Sequence, residues 1–369
     1  MSSTSQPTAI LLPPREQFTH EGAGAIALTV AEQLRTGASR EPLEIWGRAP
    51  NGTLLALPDG TPYVSLSDLA WIPARRRSRH AWAARLQAAR RRPWRLEIHN
   101  RAELFQRLAT GSSRLALYLH NDPQGIRGLE LAEQRQAVLR RADYIVCVSD
   151  FLRRRFCEGL GADCAARVQV VANSVDLDRF RPGPKRREIL FVGRLIPEKG
   201  AVELAEALLE LLPRHPEVTA RFIGAWHFGQ SDVRFPYERD LEALVARSGG
   251  QIRLEGYRPY DEVAAAFARA EIAVVPSLWD EPFGRTALEA MAAGCAVVAA
   301  NRGGLPEVVG DAGQVVEPDP ATLAESLGSL LASSARCEAF GNAARRRAET
   351  VFEAGALHRR IASLRDRRD

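Results

Sequence analysis

The chain has 369 residues, 46% of them hydrophobic and 26% charged, a composition that can bury two cores and excludes a disordered protein. No run approaches the roughly 18 consecutive apolar residues of a membrane span. The first 14 residues lack the layout of a secretory signal, and the five cysteines form no C-x-x-C pair, so a cytoplasmic protein without a disulfide framework or zinc site is expected.

In chain order, apolar and β-branched runs predict strands over residues 9–12, 43–46, 95–99, 115–120, 144–148 and 168–171, then 188–192, 219–224, 251–255, 272–276 and 296–299, with helical patterns between them. Near-continuous apolar strands alternating with helices indicate parallel sheets covered on both faces. Two prolines and a glycine in D-L-D-R-F-R-P-G-P-K (176–185) interrupt the pattern and mark a linker. The expectation is α/β: two Rossmann-like domains facing across a cleft, 1–176 and 187–334, joined by 177–186, with helices over 335–369 crossing back to the first. Charge is uneven, residues 1–180 carrying +7 and residues 181–369 carrying −2. Of the 50 basic residues 48 are arginine, which reflects genome composition more than function, and the two lysines are Lys185 and Lys199.

Open α/β sheets bind ligands beyond the carboxyl ends of their strands. Two such places carry chemistry. In E-P-F-G-R-T-A-L-E (281–289) a helix starts after a buried strand and loop, so the amides of Phe283, Gly284, Arg285 and Thr286 can hold an anion or a sugar hydroxyl. Glu281 precedes that helix and Glu289 lies within it, and carboxylates accept hydrogen bonds from paired hydroxyls. The competing reading is an amphipathic helix with an acidic start. In F-V-G-R-L-I-P-E-K-G (191–200) Arg194 leaves a strand and Lys199 stands at a helix start, where a cation fits the helix dipole only if an anion shares the site.

Through these two segments, the preceding V-V-P-S, N-R-G-G-L-P-E-V-V (301–309) and A-N-S-V-D-L-D-R-F (172–180), the C-terminal half resembles the nucleotide-sugar domain of retaining GT-B glycosyltransferases of family 4, glycosyl transferases group 1. The resemblance implies a GT-B fold, with Arg194 and Lys199 on the donor diphosphate and Glu289 on the ribose. It puts Glu281 with the Phe283 and Gly284 amides on the transferred sugar, and Gly256 and Tyr257 near the base. Where the family often has N-G-V-D this chain has Asn173, Ser174, Val175 and Asp176, which removes easy access to positive φ.

In the N-terminal half His99 and His120 each end a predicted strand. His120, in L-Y-L-H-N-D-P (117–123), resembles the family's active-site histidine and is preferred, with Asn121, Asp122 and Arg127 in the following loop. G-A-G-A-I-A (22–27) has the dinucleotide form, but nine residues separate it from its strand. It is read as a loop and helix start through which Gly24 approaches the donor phosphates, and an oxidoreductase is demoted. D-L-D (176–178) has the D-x-D form of a metal site but lies in the linker, and two cations and a helix start can neutralise a diphosphate, so no metal and no cofactor are expected. Residues 75–95 hold nine arginines and no acid, with Trp71, Trp82 and Trp94 near or among them. A solvated face and contact with an anionic membrane stand level, with nucleic acid behind because no recognised nucleic-acid module accompanies the segment.

The resulting expectation is a retaining, metal-independent hexosyltransferase acting between a UDP- or GDP-sugar and a glycan or lipid-linked acceptor. Bacterial polysaccharide or lipopolysaccharide synthesis, in the cytoplasm or at the inner face of its membrane, is the setting implied by the resemblance. A nucleotide-sugar epimerase and a non-catalytic nucleotide-sugar binding protein share the architecture and stand as alternatives.

Overall fold

The computed structural model describes residues 8–20, 22–35, 42–57, 60–66, 84, 87, 95–109, 114–225 and 236–366. Two compact units divide the chain, one running to Ser174 and resuming at Ala354, the other Val175–Glu353.

The first unit is a seven-stranded parallel sheet. Its strands are β1 (Thr8–Leu11), β2 (Leu43–Gly47), β3 (Tyr63–Ser65), β4 (Arg95–His99), β5 (Arg114–Leu119), β6 (Tyr144–Cys147) and β7 (Val168–Val170). Their order is β3-β2-β1-β4-β5-β6-β7. Helices α1 (Ala25–Arg35), α2 (Ala102–Leu108), α3 (Ala132–Arg141), α4 (Asp150–Cys157) and α5 (Cys164–Arg167) connect them.

The second unit is a six-stranded parallel sheet of β8 (Arg186–Val192), β9 (Thr219–Ile223), β10 (Ile252–Leu254), β11 (Ala270–Val275), β12 (Ala296–Ala300) and β13 (Gln314–Val316). The order is β10-β9-β8-β11-β12-β13. Its helices are α6 (Ala201–Leu211), α7 (Pro236–Ala246), α8 (Tyr260–Arg269), α9 (Arg285–Ala292), α10 (Leu305–Val309), α11 (Pro320–Leu331) and α12 (Ser334–Val351). The apolar faces of α6 and α11 close over β8, β9, β11 and β12 to form the main core.

The last helix, α13 (Ala354–Arg365), belongs to the first unit. Its buried positions Leu357, His358, Ile361, Leu364 and Arg365 recur at helical spacing, and its leucines and isoleucine pack on Ala116, Tyr118, Tyr144 and Val146. The chain therefore changes unit at Ala354 and not at 335, since α12 packs within the second unit beside α9 and β12.

Residues 177–186 form no free linker. The Gly183 amide donates to the Ala268 carbonyl (3.2 Å), and Lys185 donates to the carbonyls of Phe267 (3.1 Å) and Ala293 (2.7 Å). Ser174 keeps negative φ, so its turn does not need the glycine it lacks. The D-x-D carboxylate Asp176 is spent on the backbone, accepting the amides of Asp178 and Arg179 (3.1 Å each).

The cysteines correct an expectation. Cys157 and Cys164 form a disulfide between the end of α4 and the start of α5, where the turn brings their Cα atoms to 5.6 Å, while Cys147, Cys295 and Cys337 are free and buried. Of the arginine-rich stretch 75–95 all but Ala84, Gln87 and Arg95 lies outside the described residues, as do Trp71, Trp82 and Trp94. Among the described residues no helix is long and apolar enough to cross a membrane, and no group of three His, Cys, Asp or Glu is placed to hold a metal.

Candidate active site

From β8 the second sheet grows one way to β9 and β10 and the other way to β11, β12 and β13. The strand order reverses between β8 and β11, and there open parallel sheets leave a crevice at their carboxyl ends. The loops emerging from both strands meet at that point, where Gly193, Lys199, Ser277, Glu281, Gly284 and Thr286 line one cavity.

Two glycines allow the approach. Gly200 has φ +69°, and a Cβ there would fall 1.9 Å from the Pro276 carbonyl oxygen, so only glycine lets the turn after β8 press against the end of β11. Gly303, at φ +57°, would put a Cβ 2.2 Å from the Glu281 carbonyl oxygen. The Gly304 amide donates to that oxygen at 2.7 Å, and the Gly303 amide to Asp280 Oδ1 at 3.1 Å. The N-R-G-G segment thus fixes the loop that carries Glu281.

Lys199 Nζ lies 2.5 Å from Glu281 Oε1 and 5.3 Å from the Trp279 ring centre, and Ser277, which is buried, donates its hydroxyl to the same Oε1 at 2.6 Å. The anion expected beside Lys199 is thus supplied, in this structure, by the protein's own carboxylate. Arg194 is exposed, has no side-chain partner among the described residues, and is not one of the cavity's lining residues, although its neighbour Gly193 is.

Gly284 caps α9, and the first-turn amides of Arg285 and Thr286 lack intrahelical acceptors. Phe283 turns its ring into the core, edge-on to Phe352 at 5.9 Å, and is not among the cavity's lining residues. Glu289, one turn into the helix and buried, accepts the Tyr260 hydroxyl at 2.7 Å, and Arg285 Nη2 lies 3.1 Å from that hydroxyl and 3.4 Å from Glu289 Oε1. Gly256, with φ +68°, and Tyr257, which is exposed, follow β10 and are not among the lining residues.

In the first unit His120 directly follows β5, with its ring Nε2 2.9 Å from Nδ1 of buried His99 and its amide donating to Asn100 Oδ1 at 2.8 Å. Around Gly24 the helix start of α1 already holds an anion. Glu16 Oε1 accepts the Ala27 amide at 3.1 Å and would lie 2.5 Å from a Cβ at Gly24. Burial pushes that carboxyl's pKa up against the lowering effect of the Ala27 and Gly24 amides. Asp122 and Arg127 are engaged locally, Asp122 with the Gln124 amide (3.0 Å) and Arg155 (3.0 Å), Arg127 with Glu103 (2.7 Å). Sequence reasoning did not single out Tyr260 or Trp279. Their proximity to Glu289 and Lys199 depends on tertiary packing, and the one signal was an aromatic residue close after a strand end.

Two all-parallel Rossmann-like sheets with a charged site at the switch point of the second define a GT-B fold. Comparison with known proteins agrees: residues 175–347 match the family model for glycosyl transferases group 1 and residues 70–179 that for glycosyltransferase family 4. The chain is 31% identical to D-inositol 3-phosphate glycosyltransferase of Corynebacterium jeikeium over 321 residues, 80% of this chain and 71% of that one. It is 31% identical to spore coat protein SA of Bacillus subtilis over 230 residues, 56% of this chain and 60% of that protein, so it spans less than two thirds of that relative. The crystal structure of Anabaena HepE in complex with UDP and glucose superposes with a TM-score of 0.74 over 97% of this chain and 98% of that one, at 20% identity. The chain belongs to the glycosyl transferases group 1 family, glycosyltransferase family 4.

Proposed function

We propose that this protein is a retaining glycosyltransferase that moves a hexosyl group from a nucleoside diphosphate sugar to a hydroxyl of a glycan or lipid-linked acceptor, in bacterial polysaccharide or lipopolysaccharide assembly. The observation that carries the reading is the Lys199–Glu281 pair beside the helix start of α9 at the switch point of the second sheet. An ammonium and a helix start form a preorganised acceptor for the charge that gathers on a leaving diphosphate.

In the step proposed, the bond from the anomeric carbon to the diphosphate oxygen breaks and a bond to the acceptor oxygen forms on the same face. The acceptor's proton passes to the departing phosphate oxygen, so no protein nucleophile is needed. Lys199, the Gly284–Thr286 amides and the freely reaching Arg194 stabilise the leaving group. Glu281 and His120 hold the sugar, and Glu289, steadied by Tyr260, takes the ribose. These cations make a divalent ion unnecessary for charge balance.

HepE was crystallised with UDP and glucose, which supports testing uridine donors first. Thermal shift against UDP-, GDP- and ADP-sugars is expected to give a rise with one base class, and labelled-sugar transfer with that donor is expected to continue in EDTA. No shift with any nucleotide sugar, or turnover abolished by EDTA and restored by a divalent ion, contradicts the reading. Conversion of donor to an isomer without acceptor would favour the epimerase.

A further inference from the structure

The buried histidine behind His120 has no part in the scheme above. Strand alternation puts Arg95, Glu97 and His99 on one face of β4, and His99 stands directly opposite Tyr118 of β5. The same face carries Tyr118, Tyr144 and the α13 residues that cover them. His99 is 1% exposed. Its ring stacks on Tyr118 (4.6 Å between centres, 6° between planes), and its Nδ1 is 2.9 Å from His120 Nε2. Beneath it Glu97 receives Arg365 through two hydrogen bonds, 2.6 and 2.8 Å, and the Tyr144 hydroxyl at 2.5 Å. His99 Nε2 and Arg365 Nη1 are buried without partners among the described residues.

We propose that His99 is a positioning residue for His120. It donates its Nδ1 hydrogen to His120 Nε2, so that His120 is held in the tautomer bearing hydrogen on Nδ1 and offers that N–H as a donor. The inference rests on the reading of His120 as the group that meets the transferred sugar.

Three observations fix the direction of the bond. Burial, reinforced by the Arg365 charge, pushes the His99 pKa down to about 3, so the ring is neutral and has one N–H to place. On Nε2 that hydrogen would be an orphaned buried donor in the field of a nearby cation. On Nδ1 it makes the 2.9 Å bond, and orphaned buried N–H groups are the rarer defect. Asn100 then grips the same residue from the other side. In the left-handed region at φ 55°, it accepts the His120 amide through Oδ1 at 2.8 Å, so residues 99 and 100 fix both the ring and the backbone of His120. The tautomer is thereby set by a partner the solvent cannot replace.

The test uses the full chain labelled with ¹⁵N-histidine. Long-range proton–nitrogen correlation is expected to show hydrogen on Nδ1 of both His99 and His120. In His99→Phe, which keeps a ring against Tyr118 but removes the donor, His120 is expected to shift toward the Nε2–H form that unconstrained imidazole prefers. Turnover in that variant is expected to fall about ten- to hundredfold in kcat with the donor KM nearly unchanged. His99→Gln, whose amide can donate, is expected to recover part of it. Hydrogen on His120 Nε2 in the native chain, an unchanged tautomer in His99→Phe, or a native kcat in that variant overturns the proposal. Should the native chain transfer no sugar at all, the transferase reading fails while the nitrogen spectra still decide the tautomer.

Discussion

Lys199 and Lys185 are the only lysines among 50 basic side chains, and each does something a guanidinium would do poorly. Lys185 points one compact ammonium at the Phe267 and Ala293 carbonyls, and Lys199 sits between Glu281 and the Trp279 ring. An ammonium there can turn from the carboxylate to an arriving phosphate without refitting a planar fork. Replacing it should cost more in catalysis than in folding. In Lys199→Met, Glu281 keeps the Ser277 hydroxyl, and the other cation among the cavity's lining residues, Arg285, is held by Tyr260 and Glu289, so sugar transfer is expected to fall by about 10² to 10³. Nucleotide release under saturating donor measures this, and a loss below tenfold would mean that Arg194 and the α9 amides carry the charge without it. The site was legible in the sequence at this scale because glycine, lysine and glutamate stood at strand ends. The partner of Lys199 was not, because spacing cannot show that an expected ligand anion is matched by a carboxylate 82 residues away.

At the scale of elements, β4 was placed at residues 95–99 by its composition and is found there. The polar ladder Arg95, Glu97 and His99 within that run is met by side chains distant in sequence, Asp143 for Arg95, Tyr144 and Arg365 for Glu97, and His120 for His99. The three-residue strands β3 and β13 were not legible, being half-buried edges without an apolar run. Nor was the Cys157–Cys164 bond, seven residues apart with no C-x-x-C spacing. The ladder has a pH signature. His99 titrates at about 3 when folded and near its ordinary 6.5 when unfolded, so as pH falls below 6.5 the unfolded chain takes up a proton that the folded chain refuses. Stability is then lost by up to about 1.4 kcal/mol per pH unit down to the folded value. His358, pushed down by burial and then by Arg365, acts in the same direction. For Glu97 burial raises the pKa but Arg365 and Tyr144 outweigh it and hold the carboxyl below its ordinary range, so its contribution is present above about 4.5 and is lost only below that. Urea midpoints are therefore expected to fall steadily from pH 6.5 to 4.5, and the slope should be shallower in His99→Phe. An unchanged slope in that variant would place the proton uptake elsewhere.

At the scale of the whole molecule, the two units differ in how the chain completes them. The second is continuous, Val175–Glu353, and all the residues that close its core lie within that span. The first is finished only when α13 returns from the far end of the sequence. Without α13 the face of β5 and β6 loses Leu357, Ile361 and Leu364, and Glu97, 1% exposed, loses Arg365. Removing large core side chains costs about 2 to 5 kcal/mol each, and stranding one member of a buried ion pair about 3 to 5 more. Together these exceed the 5 to 15 kcal/mol by which a typical domain is stable, or come close to it. Residues 175–353 produced alone are accordingly expected to unfold cooperatively and to retain the Lys199–Glu281 pocket. Residues 1–174 produced alone are expected to lack a cooperative transition and to gain one when a peptide of residues 354–369 is added. Circular dichroism melts of the two pieces, with and without the peptide, check this. The decisive observation is the first piece by itself, because a sharp melt there would mean that the sheet carries its buried Glu97 without Arg365, and that the returning helix is an attachment to the first unit and not its closing element.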